Sequence, residues 1–140
     1  MTDNKGYPIG FGDVISGNHN DVYKAIDQLK RMFRDAKRKK IKLDGYTLNM
    51  DKSFDCQLLR RLCFSYKVYP NVKENKRNRK QTKRGRKRFF DANAYKQRFT
   101  CERTFAWMDS YRTLLIRFER LALNWLSWHF LAASWIFLKV

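Results

Sequence analysis

The sequence predicts an α/β fold, and three patterns along the chain indicate it. Apolar residues recur every three or four positions between residues 21 and 39, as in an amphipathic helix. Apolar and polar residues alternate over GYTLNMD, residues 45–51, as in a strand. The helical period returns at about residue 93 and continues to the end of the chain. Because helical and strand patterns alternate, an α/β or α+β class is expected.

Length and charge limit the classes of protein that fit. A chain of 140 residues is expected to form one domain, and a hydrophobic content of 44% is enough for a core. Its 31 Lys and Arg residues exceed its 13 Asp and Glu residues, which gives a net charge of +18. An enzyme for small neutral substrates does not need so large a positive charge, whereas a protein that binds along a polyanion does. Nucleic acid is therefore the first expected partner, and an anionic membrane is the second.

The N-terminal region contains turn and capping signals. GYPIGFGDVISGN, residues 6–18, predicts the end of one strand, a turn and a second short strand. Asn20 or Asp21 is the predicted N-cap of the first helix, which should continue to about Lys39. The polar face of this helix is cationic, and such a face is more often solvated than used for binding.

The middle of the chain predicts a strand, a helix and a second strand. Asp51 ends the first strand, at the kind of strand end where α/β proteins place catalytic groups. An ordinary turn aspartate is the alternative role for this residue. FDCQLLRRLCFSY, residues 54–66, predicts a helix capped by Asp55. KVYPNV, residues 67–72, predicts a short strand whose proline indicates an end or an edge.

The three cysteines and the N-terminus show no sign of secretion. Cys56, Cys63 and Cys101 are odd in number and have no CxxC spacing, so small buried thiols in a reducing compartment are expected. The first residues lack a basic region followed by an apolar one, so no secretory signal is predicted.

A strongly basic stretch follows the second strand. Residues 72–92 are predicted to be a flexible basic loop, because the run KENKRNRKQTKRGRKR has no apolar period. Its cations are expected to contact DNA phosphates. They are Lys76, Arg77, Arg79, Lys80, Lys83, Arg84, Arg86, Lys87 and Arg88.

The C-terminal part predicts helices with two distinct faces. An apolar stripe is expected along Cys101, Phe105, Met108, Leu115, Phe118, Ala122 and Trp125. Tyr95, Arg98 and Glu102 follow one another at spacings of three and four on another face. LALNWLSWHFLAASWIFL, residues 121–138, is apolar, but polar residues interrupt it. A buried core helix is therefore favoured over a membrane span, and His129 is expected in the core or at its rim.

These motifs resemble the second half of the DDE transposases encoded by bacterial insertion sequences. Tyr95, Arg98 and Glu102 match the first three positions of the signature on the family's glutamate helix. ERTFAW and RFERLALNWLSWHFLAAS resemble that helix and the stretch after it, and GNHND resembles the segment before the first helix. MDKSFD resembles the family's second-aspartate strand, so Asp51 matches the second aspartate. The resemblance extends over nearly the whole chain.

The resemblance implies an RNase H-like fold with a mixed sheet flanked by helices. It implies that Asp51 and Glu102 hold Mg²⁺ or Mn²⁺, and that Tyr95 and Arg98 orient DNA phosphates. From the residues alone, an ordinary ion pair between Arg98 and Glu102, four positions apart, is the alternative. Asp109 stands where the family has a lysine, and Arg112, one turn further, is the candidate substitute. The implied activity is DNA cleavage and strand transfer in the bacterial cytoplasm, in association with the nucleoid.

The resemblance also implies that the family's first strand and first aspartate precede this sequence. The chain is therefore expected to be a partial catalytic domain that is inactive alone and is completed by an upstream segment. A second reading frame joined by frameshifting and a truncated remnant both fit this expectation. Expected partners are the DNA of the element ends and of the target, the upstream product and a second copy of the chain.

Two other classes of function remain open from the residues. A nucleic-acid-binding protein without chemistry would need only the positive charge. A membrane-surface protein could use the last helix and the basic loop. Carboxylates within a cationic chain favour the transposase over the first class, and the interrupted apolar run disfavours the second.

Overall fold

The computed structural model describes residues 1–20, 22–75 and 88–138. Its contacts divide the chain into two compact units. The central unit comprises residues 17–98, and the terminal unit comprises Met1–Ser16 with Phe99–Val140.

The central unit is a small parallel sheet with helices around it. It contains α1 (Ala25–Arg38), β1 (Thr47–Met50), α2 (Gln57–Ser65), β2 (Tyr69–Val72) and α3 (Ala92–Lys96). The two strands pair in parallel, with Thr47 opposite Tyr69 and Met50 opposite Val72. α2 connects the strands and packs on α1 and β2, while α3 contacts both strands. Helices and a parallel sheet together confirm the predicted mixture of helix and strand. Among the described residues, the largest fully buried side chains are Phe33, Leu59, Cys63 and Val72.

The first helix begins later than its sequence predicts. α1 starts at Ala25, and Lys24 holds the N-cap position with a left-handed backbone, φ 53°, and no side-chain capping bond. The Asn20 cap is therefore wrong, and Asp21 lies outside the described residues. A turn explains the shift, because the N–H of Tyr23 donates to the Asn20 carbonyl before the helix starts. Leu29 and Phe33 are buried, as the apolar period indicates.

Both predicted strands of the central unit are confirmed, but the predicted Asp55 cap is wrong. α2 begins at Gln57 with Cys56 at the N-cap position, after a 3-10 turn over Lys52–Phe54. The Asp55 carboxylate binds two arginines instead, so it cannot serve the helix N-terminus. Pro70 lies inside β2 opposite Leu48, which is compatible with a strand that pairs on one side.

The terminal unit combines an N-terminal turn with three helices, α4 (Thr100–Asp109), α5 (Arg112–Leu115) and α6 (Ala122–Leu138). The two predicted N-terminal strands are wrong, because the described backbone forms only an isolated antiparallel bridge between Thr2 and Pro8. Gly6 turns the chain back with φ +90°, and the proline at position 8 has no N–H to continue a ladder.

The helical C-terminal region is confirmed, but its predicted apolar stripe is wrong. A 3-10 turn over Gln97–Phe99 follows α3, and non-helical segments separate α4 from α5 and α5 from α6. Residues on either side of these breaks cannot share one helical face. Leu115 and Phe118 are accordingly exposed, and so is Phe105 within α4. Of the predicted stripe Met108 is in the core, which it shares with Leu114, Ala132, Ala133 and Ile136.

α6 is a core helix on one face only. Ala132, Ala133 and Ile136 are buried, whereas Leu123, Leu131 and Leu138 are exposed, so the expected core helix contributes one buried face. The helix is apolar around its circumference, but α4 and α5 pack against only part of it. His129 is part-buried, as predicted, and its ring lies 4.2 Å from that of Trp125. Among the helices in the described ranges, none has the length and apolarity to cross a membrane.

The burial of Cys63 gives a prediction about thiol reactivity. The side chain has no exposed surface, and burial raises the pKa of its thiol to about 11. Since the thiolate is the reactive form, Cys63 should resist alkylation in the folded protein at mildly alkaline pH. Cys56 and Cys101 are free and half-buried, so they should react first. Peptide mapping by mass spectrometry, with and without denaturant, measures this order. Equal labelling of Cys63 and Cys56 in the folded protein would contradict the prediction.

Candidate functional site

Asp51 lies at the carboxyl end of β1, as its sequence position predicts. It has extended backbone angles, φ −64° and ψ 157°, and precedes the 3-10 turn of Lys52–Phe54. Its side chain is half-buried, and Oδ2 lies 3.4 Å from the Ser53 hydroxyl, which donates to it. A carboxylate held at a strand end with a hydroxyl as its neighbour can still ligate a hard cation.

An asparagine pair links the two strands beside this position. The side-chain amide of Asn71 donates to Asn49 Oδ1 at 2.8 Å and to the Asp91 carbonyl at 2.8 Å. The Asp91 N–H donates in turn to Asn71 Oδ1 at 3.0 Å. Asp91 also caps α3, because its side chain accepts from the N–H groups of Asn93 and Ala94. This network fixes the start of α3 to the sheet.

Asp55 forms an ion cluster with two arginines. Its Oδ1 lies 3.0 Å from Nη2 of Arg60 and 2.9 Å from Nη1 of Arg88. Its Oδ2 accepts the N–H of Asn75 at 3.0 Å. Arg60 Nη2 also donates to the Val72 carbonyl at 2.7 Å, so the cluster is tied to the carboxyl end of β2.

Opposing effects act on the acidity of Asp55. Burial raises the pKa of this carboxyl. The hydrogen bonds from Asn75 and Arg60, with the positive charges of Arg60 and Arg88, outweigh burial and hold the pKa below its usual value. Asp55 is therefore an ionised partner of arginines. A carboxylate occupied in this way is not available to a metal ion.

The other DNA-binding candidates occupy separate elements. Tyr95 is in α3, and the Arg98 guanidinium lies 5.5 Å from the centre of its ring. Arg112 begins α5, where its guanidinium lies 6.0 Å from the Phe118 ring. Arginines held against aromatic rings keep their charge and have fewer rotamers to lose on binding. Residues 76–87, with most of the predicted phosphate-binding cations, lie outside the described residues.

Glu102 is exposed in the first turn of α4. The opposite side of this helix packs on the N-terminal turn. The buried hydroxyl of Thr104 donates to the Gly6 carbonyl, and Arg103 Nη1 donates to the Lys5 carbonyl at 3.4 Å. One turn further, Trp107 packs on Tyr7 with 5.5 Å between the rings. These contacts fix the rotation of α4 about its axis and leave Glu102 on the solvent side.

The candidate metal ligands fit a hard cation by their chemistry, since both offer carboxylate oxygens. Asp51 belongs to the central unit and Glu102 to the terminal unit. Their convergence on one metal site stays a prediction. Within the ranges that the structure describes, no group of three or more His, Cys, Asp or Glu side chains could hold a metal ion.

Sequence reasoning missed the two polar networks of the central unit. The asparagine pair could have been predicted from the sequence, because Asn49 and Asn71 each occupy the third position of a four-residue strand. Nothing in the sequence indicates the Asp55 cluster, because α2, β2 and most of the basic stretch separate Arg88 from Asp55 along the chain. The burial of Arg60 could not be predicted either, because arginine at that helical position is usually solvated.

Comparison with known proteins identifies a family. The family model described as "Transposase DDE domain" matches residues 1–137. A search of curated proteins gave no match, and neither did a search of solved structures.

Proposed function

Because the chain belongs to the transposase DDE domain family, we propose that it contributes two metal-binding carboxylates and a DNA-binding surface to DNA cleavage and strand transfer. The observation that carries the proposal is the family match over residues 1–137, a range that includes both carboxylates. Asp51 ends a strand, and Glu102 is on a helix directly after Tyr95 and Arg98. The family implies an RNase H-like fold and the use of divalent metal ions.

Asp51 and Glu102 are the proposed ligands of Mg²⁺ or Mn²⁺. Bound metal ions would activate the attacking oxygen and stabilise the leaving oxygen of a phosphodiester. Asp51 presents its carboxylate from the end of a strand, beside the Ser53 hydroxyl. Glu102 projects from a helix whose rotation the N-terminal turn fixes. Rigid supports of this kind suit a ligand that must stay within a fraction of an ångström of its place.

DNA is the proposed partner of Tyr95 and of the cations that the motifs assign. Tyr95, Arg98 and Arg112 would contact the phosphates near the metal ions, while the basic stretch would contact phosphates further along the DNA. The net charge of +18 supports this role, because a large excess of cations on a small protein favours polyanions. The alternative is a nucleic-acid-binding protein that has lost its chemistry.

Transposition of a marked element in cells tests the proposal. The gene is supplied with its natural upstream DNA, and the excision and insertion of a marker between the element's ends are counted. Transposition that requires the gene supports the proposed activity. Binding of DNA by the purified protein without any transposition would favour the alternative.

The basic stretch should supply a large share of the DNA affinity. Each phosphate contact contributes about −0.9 to the slope of log K against log salt for duplex DNA. Replacing its cations by glutamine should therefore make that slope several units shallower, with little effect on sequence preference. The replaced residues are Lys76, Arg77, Arg79, Lys80, Lys83, Arg84, Arg86 and Lys87. Fluorescence anisotropy with a short duplex over a salt series measures the slope.

A matched control removes the same charge elsewhere in the central unit. The controls are the exposed cations Lys24, Lys30, Arg31, Arg34, Lys37, Lys39, Lys40 and Lys42. Their replacement should change the slope less, because these exposed cations of α1 and its flanking residues are expected to be solvated rather than bound to phosphates. Equal slopes for the two variants would show that the net charge alone attracts DNA.

A further inference from the structure

We propose that Arg88 is a preorganised phosphate-binding residue, held in place by the buried carboxylate of Asp55 at the sheet edge that carries Asp51. This inference rests on the proposed DNA binding of the chain. It adds a specific positioning role for Asp55 and distinguishes Arg88 from the other cations of the basic stretch.

The burial of the cluster separates its two arginines. The Asp55 side chain is 5% exposed and that of Arg60 is 9% exposed, whereas the Arg88 side chain is 32% exposed. Arg60 is the buried partner, since it also donates to the Pro70 and Val72 carbonyls. Arg88 is the outer partner, and its contact with Asp55 uses Nη1. A guanidinium has five N–H groups in a planar fork, so a residue held by one nitrogen can present others to a phosphate.

The charges of the cluster favour an added anion. One carboxylate and two guanidinium groups leave one net positive charge. Arg60 and the Asn75 N–H already satisfy Asp55 from the inside. A phosphate can therefore bind Arg88 without removing the partners that hold Asp55. Because Asp55 fixes the guanidinium beforehand, less side-chain entropy is lost on binding than for a free surface arginine.

The position of the cluster relates it to Asp51. Arg60 Nη2 is bonded to the Val72 carbonyl, and Val72 pairs with Met50, the residue before Asp51. Since β1 and β2 are parallel, their carboxyl ends lie at the same edge of the sheet. A phosphate on Arg88 would therefore lie at the edge from which Asp51 projects.

The first test keeps the positive charge at position 88 and removes the planar guanidinium group. Arg88→Lys should bind a short DNA duplex about fivefold more weakly than the unmodified chain, since an ammonium cannot hold Asp55 and a phosphate in the same planar geometry. Arg88→Gln should also make the salt slope shallower by about 0.9. Arg88 is on the outside of the cluster, so both variants should fold, and circular dichroism verifies this. Unchanged affinity in Arg88→Lys would overturn the inference.

The second test uses a charge change for which simple attraction and positioning predict opposite results. Asp55→Asn raises the net charge by one, so charge alone predicts tighter DNA binding. Loss of the carboxylate that holds Arg88 predicts weaker binding, about fivefold. Asp44→Asn is the matched control, because this exposed carboxylate also pairs with a cation, Lys67 at 3.0 Å. It should bind DNA as tightly as the unmodified chain or more tightly.

Combining the variants shows whether Asp55 acts through Arg88. In the Arg88→Gln background, Asp55→Asn should cause no further loss of DNA affinity. An equal loss in both backgrounds would contradict the inference. Should Asp55→Asn fail to fold, the result with Arg88→Lys still decides. The variant with a neutralised basic stretch could show a shallower salt slope while Arg88→Lys binds DNA normally. That result would refute this inference and leave the proposed function standing. The reverse result would refute the role of the basic stretch and support Arg88.

Discussion

Asp51→Asn and Glu102→Gln are each expected to reduce transposition of a marked element by about 10²- to 10³-fold. Each change keeps the size of the side chain and removes one proposed anionic ligand of a divalent cation. Metal stabilisation of charge in phosphoryl chemistry is worth several kcal/mol, and about 1.4 kcal/mol corresponds to a factor of ten in rate. Transposition is counted with the gene in its natural context. DNA affinity, measured separately without divalent metal, should not fall, because a negative charge has been removed.

Matched amide variants separate this effect from a general loss of carboxylates. Asp109→Asn changes an exposed residue on the same helix as Glu102, and Asp44→Asn changes an exposed residue in the same unit as Asp51. Both should transpose at close to the normal frequency. Normal transposition by Asp51→Asn or Glu102→Gln would remove that residue from the proposed metal site. Reduced DNA binding would instead assign the loss to binding.

Gly6→Ala should destabilise the protein by about 2–5 kcal/mol. Gly6 has φ +90°, and a Cβ placed there would lie 2.8 Å from the Thr100 carbonyl oxygen. A left-handed backbone costs a residue with a Cβ about 1–2 kcal/mol, and overpacking against a fixed group costs about 1–3 kcal/mol more. The oxygen belongs to the backbone of α4, so it cannot rotate away. The free energy of unfolding in urea measures the change.

Two other glycines separate the cost of the left-handed backbone from the cost of the contact with Thr100. Gly45 also has a positive φ, +79°, but a Cβ there meets no atom within 4 Å, so Gly45→Ala should cost about 1–2 kcal/mol. Gly17 has open space, and Gly17→Ala should change stability by less than about 0.5 kcal/mol. Equal losses at Gly6 and Gly45 would show that the contact with α4 contributes nothing. Transposition by Gly6→Ala below what its remaining folded fraction supports would indicate that the turn also places Glu102.

The elements that local pattern controls were predictable from the sequence. β1 alternates, and α1 repeats its apolar residues at helical spacing, so both were found, and Asp51 was correctly placed at a strand end. The N-terminal strands and the Asn20 cap were not correctly predicted. At Gly6 the outcome depends on contacts with Thr100 and Thr104, which are distant in sequence. At Asp55 a capping role was expected, but the carboxylate forms ion pairs with two arginines instead.

The predicted apolar stripe of the C-terminal region was wrong for a different reason. Its apolar period continues through segments where the backbone leaves the helix, because periodicity measures hydrophobicity and not continuity. Breaks near Tyr111 and Ile116 place Leu115 and Phe118 on the surface. The spacing of Tyr95, Arg98 and Glu102 likewise predicts one helical face, but the structure divides the three residues between elements. They lie in α3, a 3-10 turn and α4 in succession.

The shared contacts of Asp55 also affect how the basic stretch can vary in length. Asn75 and Arg88 both bind this one carboxylate, and the Asp91 N–H donates to Asn71. Hydrogen bonds and an ion pair therefore hold the chain in place on both sides of residues 76–87. The entropy of closing a loop grows only with the logarithm of its length, about 0.6 kcal/mol for each doubling. Added residues between fastened ends would therefore disturb the sheet little. A change in the number of cations between Asn75 and Arg88 would thus alter the proposed DNA affinity without rebuilding the sheet edge at which Asp51 lies.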